Sequence, residues 1–158
     1  KINQMKKIIP VLAIIIFVAC NNSENSGHEH GHTTGDAKTP ADSLMELVMA
    51  GHDAAMPKMS KLSAAQKNVQ LALDSINKLP GKLKQAAEPY KSNLDSLMKG
   101  LQYAENSMNR WMEEFSMDTL ESNAELRLKY LEAENQKVTA VKENIFSILQ
   151  KADSLLKK

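Results

Sequence analysis

The chain has 158 residues with six glycines, three tyrosines, three phenylalanines and one tryptophan, a composition that leans helical and leaves room for one domain. A single cysteine excludes an internal disulfide framework and any zinc site built on cysteine pairs. The formal charge of +1 includes Lys1, Lys6 and Lys7; from Cys20 onward 17 basic residues face 19 acidic ones, and no basic face for nucleic acid remains.

The first element is a leader. Met5-Lys6-Lys7 opens a basic segment with Met5 as the expected start, and Ile8 to Ala19 follows without a polar side chain. As helix those residues rise about 18 Å, well short of a ~30 Å hydrocarbon core, so a cleaved signal peptide over 1–19 is expected instead of a spanning helix. Phe17-Val18-Ala19-Cys20 resembles the lipobox of bacterial lipoproteins, although Phe17 stands where leucine is usual. That resemblance implies cleavage before Cys20, diacylglycerol on its thiol and anchoring in a lipid bilayer. More than one acyl chain makes such attachment stable. Asn21 after the cysteine implies the outer membrane, with the domain facing the periplasm.

Residues 20–39 read as a disordered tether. Between Asn21 and Thr39 the only aliphatic side chain is Ala37, too little apolar surface to offset the entropy of ordering. His28-Glu29-His30-Gly31-His32 satisfies the H-E-x-x-H pattern formally. The zinc-protease chemistry of that pattern needs a helix and a third ligand, and a glycine-containing tether supplies neither. The alternating His28, His30 and His32 suit weak capture of Zn(II), Ni(II) or Cu(II), or serve as a solvated spacer.

The remainder, 40–158, reads as helix. Thr39-Pro40-Ala41-Asp42 supplies an N-cap, a proline at the first position and an acid three residues on. A stripe then runs through Met45, Val48, His52, Ala55, Met59, Leu62, Gln66, Val69, Leu73 and Ile76 before Leu79-Pro80-Gly81 breaks it. A second runs from Leu83 through Ala87, Tyr90, Leu94, Leu97, Leu101, Ala104, Met108 and Trp111 to Phe115. Asp118-Thr119-Leu120-Glu121 looks like another capping box, opening a third stripe through Leu120, Ala124, Leu131, Val138, Val141, Ile145, Ile148, Ala152 and Leu155. Arg127 and Glu134 interrupt it, and the surface charges, including Glu113-Glu114 and Glu132-x-Glu134, read as solvated helix faces. Three- and four-residue spacing with short breaks predicts an all-α, antiparallel three-helix bundle with helices near 39, 34 and 39 residues. Pro57 and Pro89 fall inside helices and predict kinks; alternatively, Pro89 opens the second helix.

Seven methionines lie within 45–59 or 98–112, with Met117 at the following turn. Folding the first two helices about the break brings His52 level with Met108, Met49 with Met112, and Gly51 with Trp111. One reading is a soft core in which methionine fills gaps, Gly51 makes room for the Trp111 ring, and His52 pairs with backbone or Asp53. The sharper reading is a Cu(I) or Ag(I) site of His52, Met49, Met56, Met108 and Met112, since thioether and imidazole suit monovalent copper. Trp111 would add a cation–π contribution. A haem on one His and one Met finds little room here.

Two segments carry a resemblance: Leu47-Val48-Met49-Ala50-Gly51-His52-Asp53-Ala54-Ala55-Met56-Pro57-Lys58-Met59 and Met108-Asn109-Arg110-Trp111-Met112-Glu113-Glu114-Phe115. They resemble small lipoproteins of Bacteroidetes that carry the label viral A-type inclusion protein. Ala54 stands where such proteins have an acidic residue. The resemblance implies a cell-envelope protein of unassigned function. Phosphate-binding loops, nucleophile elbows and Cys-His pairs are missing from the sequence, so a non-enzymatic binding protein is expected. The alternative to metal capture is an adaptor whose bundle docks a protein partner along an uncovered apolar strip.

Overall fold

A computed structural model describes residues 38–157. The leader, Cys20 and His28, His30 and His32 lie outside that range. Among the described residues there are three helices and no strands: α1 (Pro40–Asn77), α2 (Gly81–Glu114) and α3 (Ala124–Leu156). They form an antiparallel three-helix bundle in which every pair of helices is in contact and α1 lies closest along α3. None is long and apolar enough to cross a membrane.

The start of α1 is the capping box read from sequence. Thr39 Oγ1 accepts from the backbone N–H of Asp42 at 3.1 Å, and the Asp42 carboxylate accepts from the backbone N–H of Thr39 at 3.0 Å. The Thr39 hydroxyl also donates to that carboxylate at 2.7 Å, and the two hydrogen bonds the carboxylate accepts from Thr39, the hydroxyl's first, hold the Asp42 carboxyl below its ordinary value. Both internal prolines are carried within continuous helix, so α2 opens at Gly81 and not at Pro89.

The core of α1 is Val48, Gly51, Ala55, Leu62, Ala65, Val69, Leu73 and Ile76. It follows the expected stripe, with Gly51 and Ala65 added. His52, Met59 and Gln66 sit beside it, half-buried. Gln66 Nε2 donates to Glu105 on α2 at 2.8 Å, a polar tie across the edge of the α1–α2 seam. On α2 the buried stripe begins only at Leu94, while Leu83 and Tyr90 are exposed. On α3 it runs Leu131, Glu134, Val138, Ile145, Ile148 and Ala152.

Two expectations are corrected. Gly51 does not make room for Trp111: a Cβ there would stand 2.9 Å from Cγ1 of Val138, so the glycine admits α3. Residues 118–121 do not cap α3. They belong to a turn over 117–122, and α3 starts at Ala124 with Asn123 as its N-cap, the side chain accepting from the Leu126 N–H at 3.1 Å. Leu120 takes a left-handed φ of 62°, and Arg127 donates to the Thr119 carbonyl at 2.9 Å. That backbone reversal cannot continue as helix, and α3 is 33 residues long instead of about 39.

Candidate functional site

Near the end of the bundle that carries the start of α1 and the end of α2, a groove of about 260 Å³ is lined by Met49, His52, Trp111, Met112, Phe115 and Met117. Each side chain arrives there for a local reason. Met49 and His52 are three residues apart on α1 and therefore share a face. Trp111, Met112 and Phe115 belong to the last turn and C-cap of α2. Met117 comes from the α2–α3 turn, whose course is fixed by Tyr130: its hydroxyl oxygen accepts from the Ser116 N–H at 2.8 Å.

The imidazole of His52 is half-buried and hydrogen-bonds through Nδ1 to Asp53 Oδ1 at 2.9 Å. This is the partner expected of a packing histidine. In the tautomer that donates Nδ1–H to this carboxylate, the lone pair lies on Nε2. Nε2 has no hydrogen-bond partner among the described residues. The rings form a chain: His52 and Trp111 lie 5.7 Å apart at 36°, Trp111 and Phe115 stack at 4.8 Å, and Phe115 and Tyr130 stand 6.2 Å apart and nearly parallel.

The indole N–H of Trp111 points away from solvent and donates to Glu134 Oε2 at 2.9 Å. The other carboxylate oxygen accepts from the Lys137 ammonium at 2.7 Å. That hydrogen bond raises the Lys137 ammonium above the ordinary lysine value. Glu134 is 3% exposed and is the one buried charged residue among those described.

The five residues expected as a soft-metal set therefore separate. Met49, His52 and Met112 line the groove together. Met108 is fully buried in the core, and Met56 is half-buried and packed against that core; neither lines the groove. Met117, 58% exposed, takes their place. The sequence did mark Met117 as a turn methionine, but helical register arithmetic cannot place a side chain beyond the helix end. Among the described residues no three His, Cys, Asp or Glu side chains gather to hold a metal.

Comparison with protein-family models, curated proteins and solved structures finds no match for the chain.

Proposed function

We propose that this protein is a non-enzymatic, lipid-anchored cell-envelope protein that captures a soft monovalent cation, Cu(I) or Ag(I), in the groove between α1 and the end of α2. The observation that carries this reading is the joint lining of one solvent-open groove by three thioethers and an imidazole with a free nitrogen. Thioether sulfur and neutral imidazole are the ligand types that favour Cu(I), and a thioether has no proton to lose on binding. The exposed side chains of Met112, at the end of α2, and Met117, in the turn after it, also have the rotamer freedom to close on an ion.

The ligand set under this reading is Met49, His52, Met112 and Met117, while Met108 and Met56 belong to the core packing. His28, His30 and His32 form a second, weaker site on the tether, and acylated Cys20 holds both at the bilayer. The resemblance to envelope lipoproteins of Bacteroidetes agrees with that address.

An adaptor role draws less support from the surface. Leu47 and Leu71 on α1, and Leu126 and Phe146 on α3, are exposed, yet their separations of 24 and 20 residues turn each pair to different sides of its helix. They make no continuous strip; Leu83 and Tyr90, seven residues apart on one face of α2, leave an uncovered one only about two turns long.

The test is a Cu(I) titration against a competing chelator, using the chain with His28, His30 and His32 changed to Gln. One-to-one binding is expected, weakened by about tenfold or more in His52→Ala, the equivalent of about 1.4 kcal/mol. No binding by the parent would return His52 and the methionines to a packing role.

A further inference from the structure

Glu134 occupies a position that packing alone would give to an apolar residue. It lies between Leu131 and Val138 on the buried stripe of α3, each of them fully buried. A buried carboxylate in such a place is costly, and a well-packed apolar side chain is often the more stable choice. Its two oxygens are both acceptors, one for the Trp111 indole N–H at 2.9 Å and one for the Lys137 ammonium at 2.7 Å. Two donors, one from α2 and one from α3, thus converge on one buried carboxyl group.

We propose that Glu134 is a positioning residue for the groove, fixing the Trp111 indole and enriching its ring in electron density so that the site favours a monovalent cation. The inference rests on the soft-cation reading of that groove. A negative acceptor on the N–H of an indole pushes charge into the π-system, and a cation near the ring is attracted by that density. The ligands themselves, three thioethers and an imidazole, bring no negative charge to offset the ion. Lys137 offsets Glu134 only in part: its side chain is 56% exposed and its charge is screened by water, whereas the carboxylate side chain is 4% exposed. Phe115, four residues further along the chain, stacks on the Trp111 ring at 4.8 Å.

Trp111 is the chain's one tryptophan, so its fluorescence reports on this ring alone. The experiment is an Ag(I) titration followed by that emission, in the full chain with His28, His30 and His32 changed to Gln, in its E134Q and K137M variants. Gln keeps an acceptor for the indole and removes the charge. The expected result is binding weakened roughly three- to tenfold in E134Q, with helical content retained and the indole N–H proton resonance moved upfield. K137M, which leaves the carboxylate without its partner, binds Ag(I) more tightly than the parent. Equal affinity of E134Q and parent overturns the role of Glu134 while leaving the groove as a cation site. Absence of binding by the parent overturns both. If E134Q does not fold, K137M decides: affinity equal to or below the parent's contradicts the proposal.

Discussion

At the scale of single residues, the groove and the core make separable demands. Met117 is exposed and its thioether lines the groove, so Met117→Leu removes a sulfur at nearly constant apolar volume. The expected outcome is weaker Ag(I) binding with unfolding free energy unchanged to within about 1 kcal/mol, checked by titration and urea denaturation side by side. Gly51 is the reverse case. A methyl group there meets the fully buried Val138 at 2.9 Å, and a β-branched neighbour has little rotamer freedom with which to yield. Gly51→Ala should destabilise the bundle by about 1–3 kcal/mol, and adding Val138→Ala should recover part of the loss. The sequence made His52, Met49 and Met112 legible as neighbours, because two antiparallel helices with a short break fix which residues are level. It did not make Glu134 legible as the partner of Trp111: Glu134 reads as an interruption of the stripe on a solvated face, whereas it is buried. The pairing joins α2 to α3, and its register depends on the length of a turn that no periodicity encodes.

At the scale of elements, the beginnings of the helices show how far local signals reach. Thr39-Pro40-Ala41-Asp42 was readable because all its hydrogen bonds lie within four residues. The depressed pKa of Asp42 gives this cap a definite pH dependence. Its contribution is present above the unfolded value of 3.8 and is lost as the pH falls through the lower folded value. Thr39→Ala should cost about 1 kcal/mol at neutral pH and flatten that acid limb of the stability curve. Asp118-Thr119-Leu120-Glu121 carried the same kind of signal and misled, since Asn123 caps α3 instead. What wins there is a set of contacts from outside the motif: Arg127 on the Thr119 carbonyl and Tyr130 on the Ser116 N–H. Leu120 takes a left-handed backbone in that turn, a conformation unfavourable for side-chain-bearing residues by roughly 1–2 kcal/mol. Leu120→Gly should therefore raise the unfolding midpoint, and a lowered midpoint would show that the half-exposed leucine contributes more by its contacts than it loses in strain.

At the scale of the whole molecule, a regular bundle core sits behind an open groove of sulfur and aromatic side chains at one end. The helix count, the order and the buried stripes were legible because heptad spacing repeats over many turns. The exposure of Leu83 and Tyr90 was not, because a stripe on one helix does not show where its neighbours cease to cover it. The raised pKa of Lys137 predicts the alkaline side: the stabilisation is fully present below the unfolded value of 10.5 and is lost as the pH rises through the higher folded value. In E134Q that alkaline decline should shrink. An ion held only by the folded groove also stabilises by mass action, by about 2.7 kcal/mol at a free concentration one hundred times its Kd. The most direct test of the account is X-ray absorption at the copper edge of the Cu(I)-loaded chain with His28, His30 and His32 changed to Gln. The account predicts two or three sulfur atoms and one nitrogen at about 2.0–2.3 Å, with the nitrogen lost in His52→Ala. A shell of nitrogen and oxygen without sulfur, or a spectrum unchanged by that substitution, would contradict it.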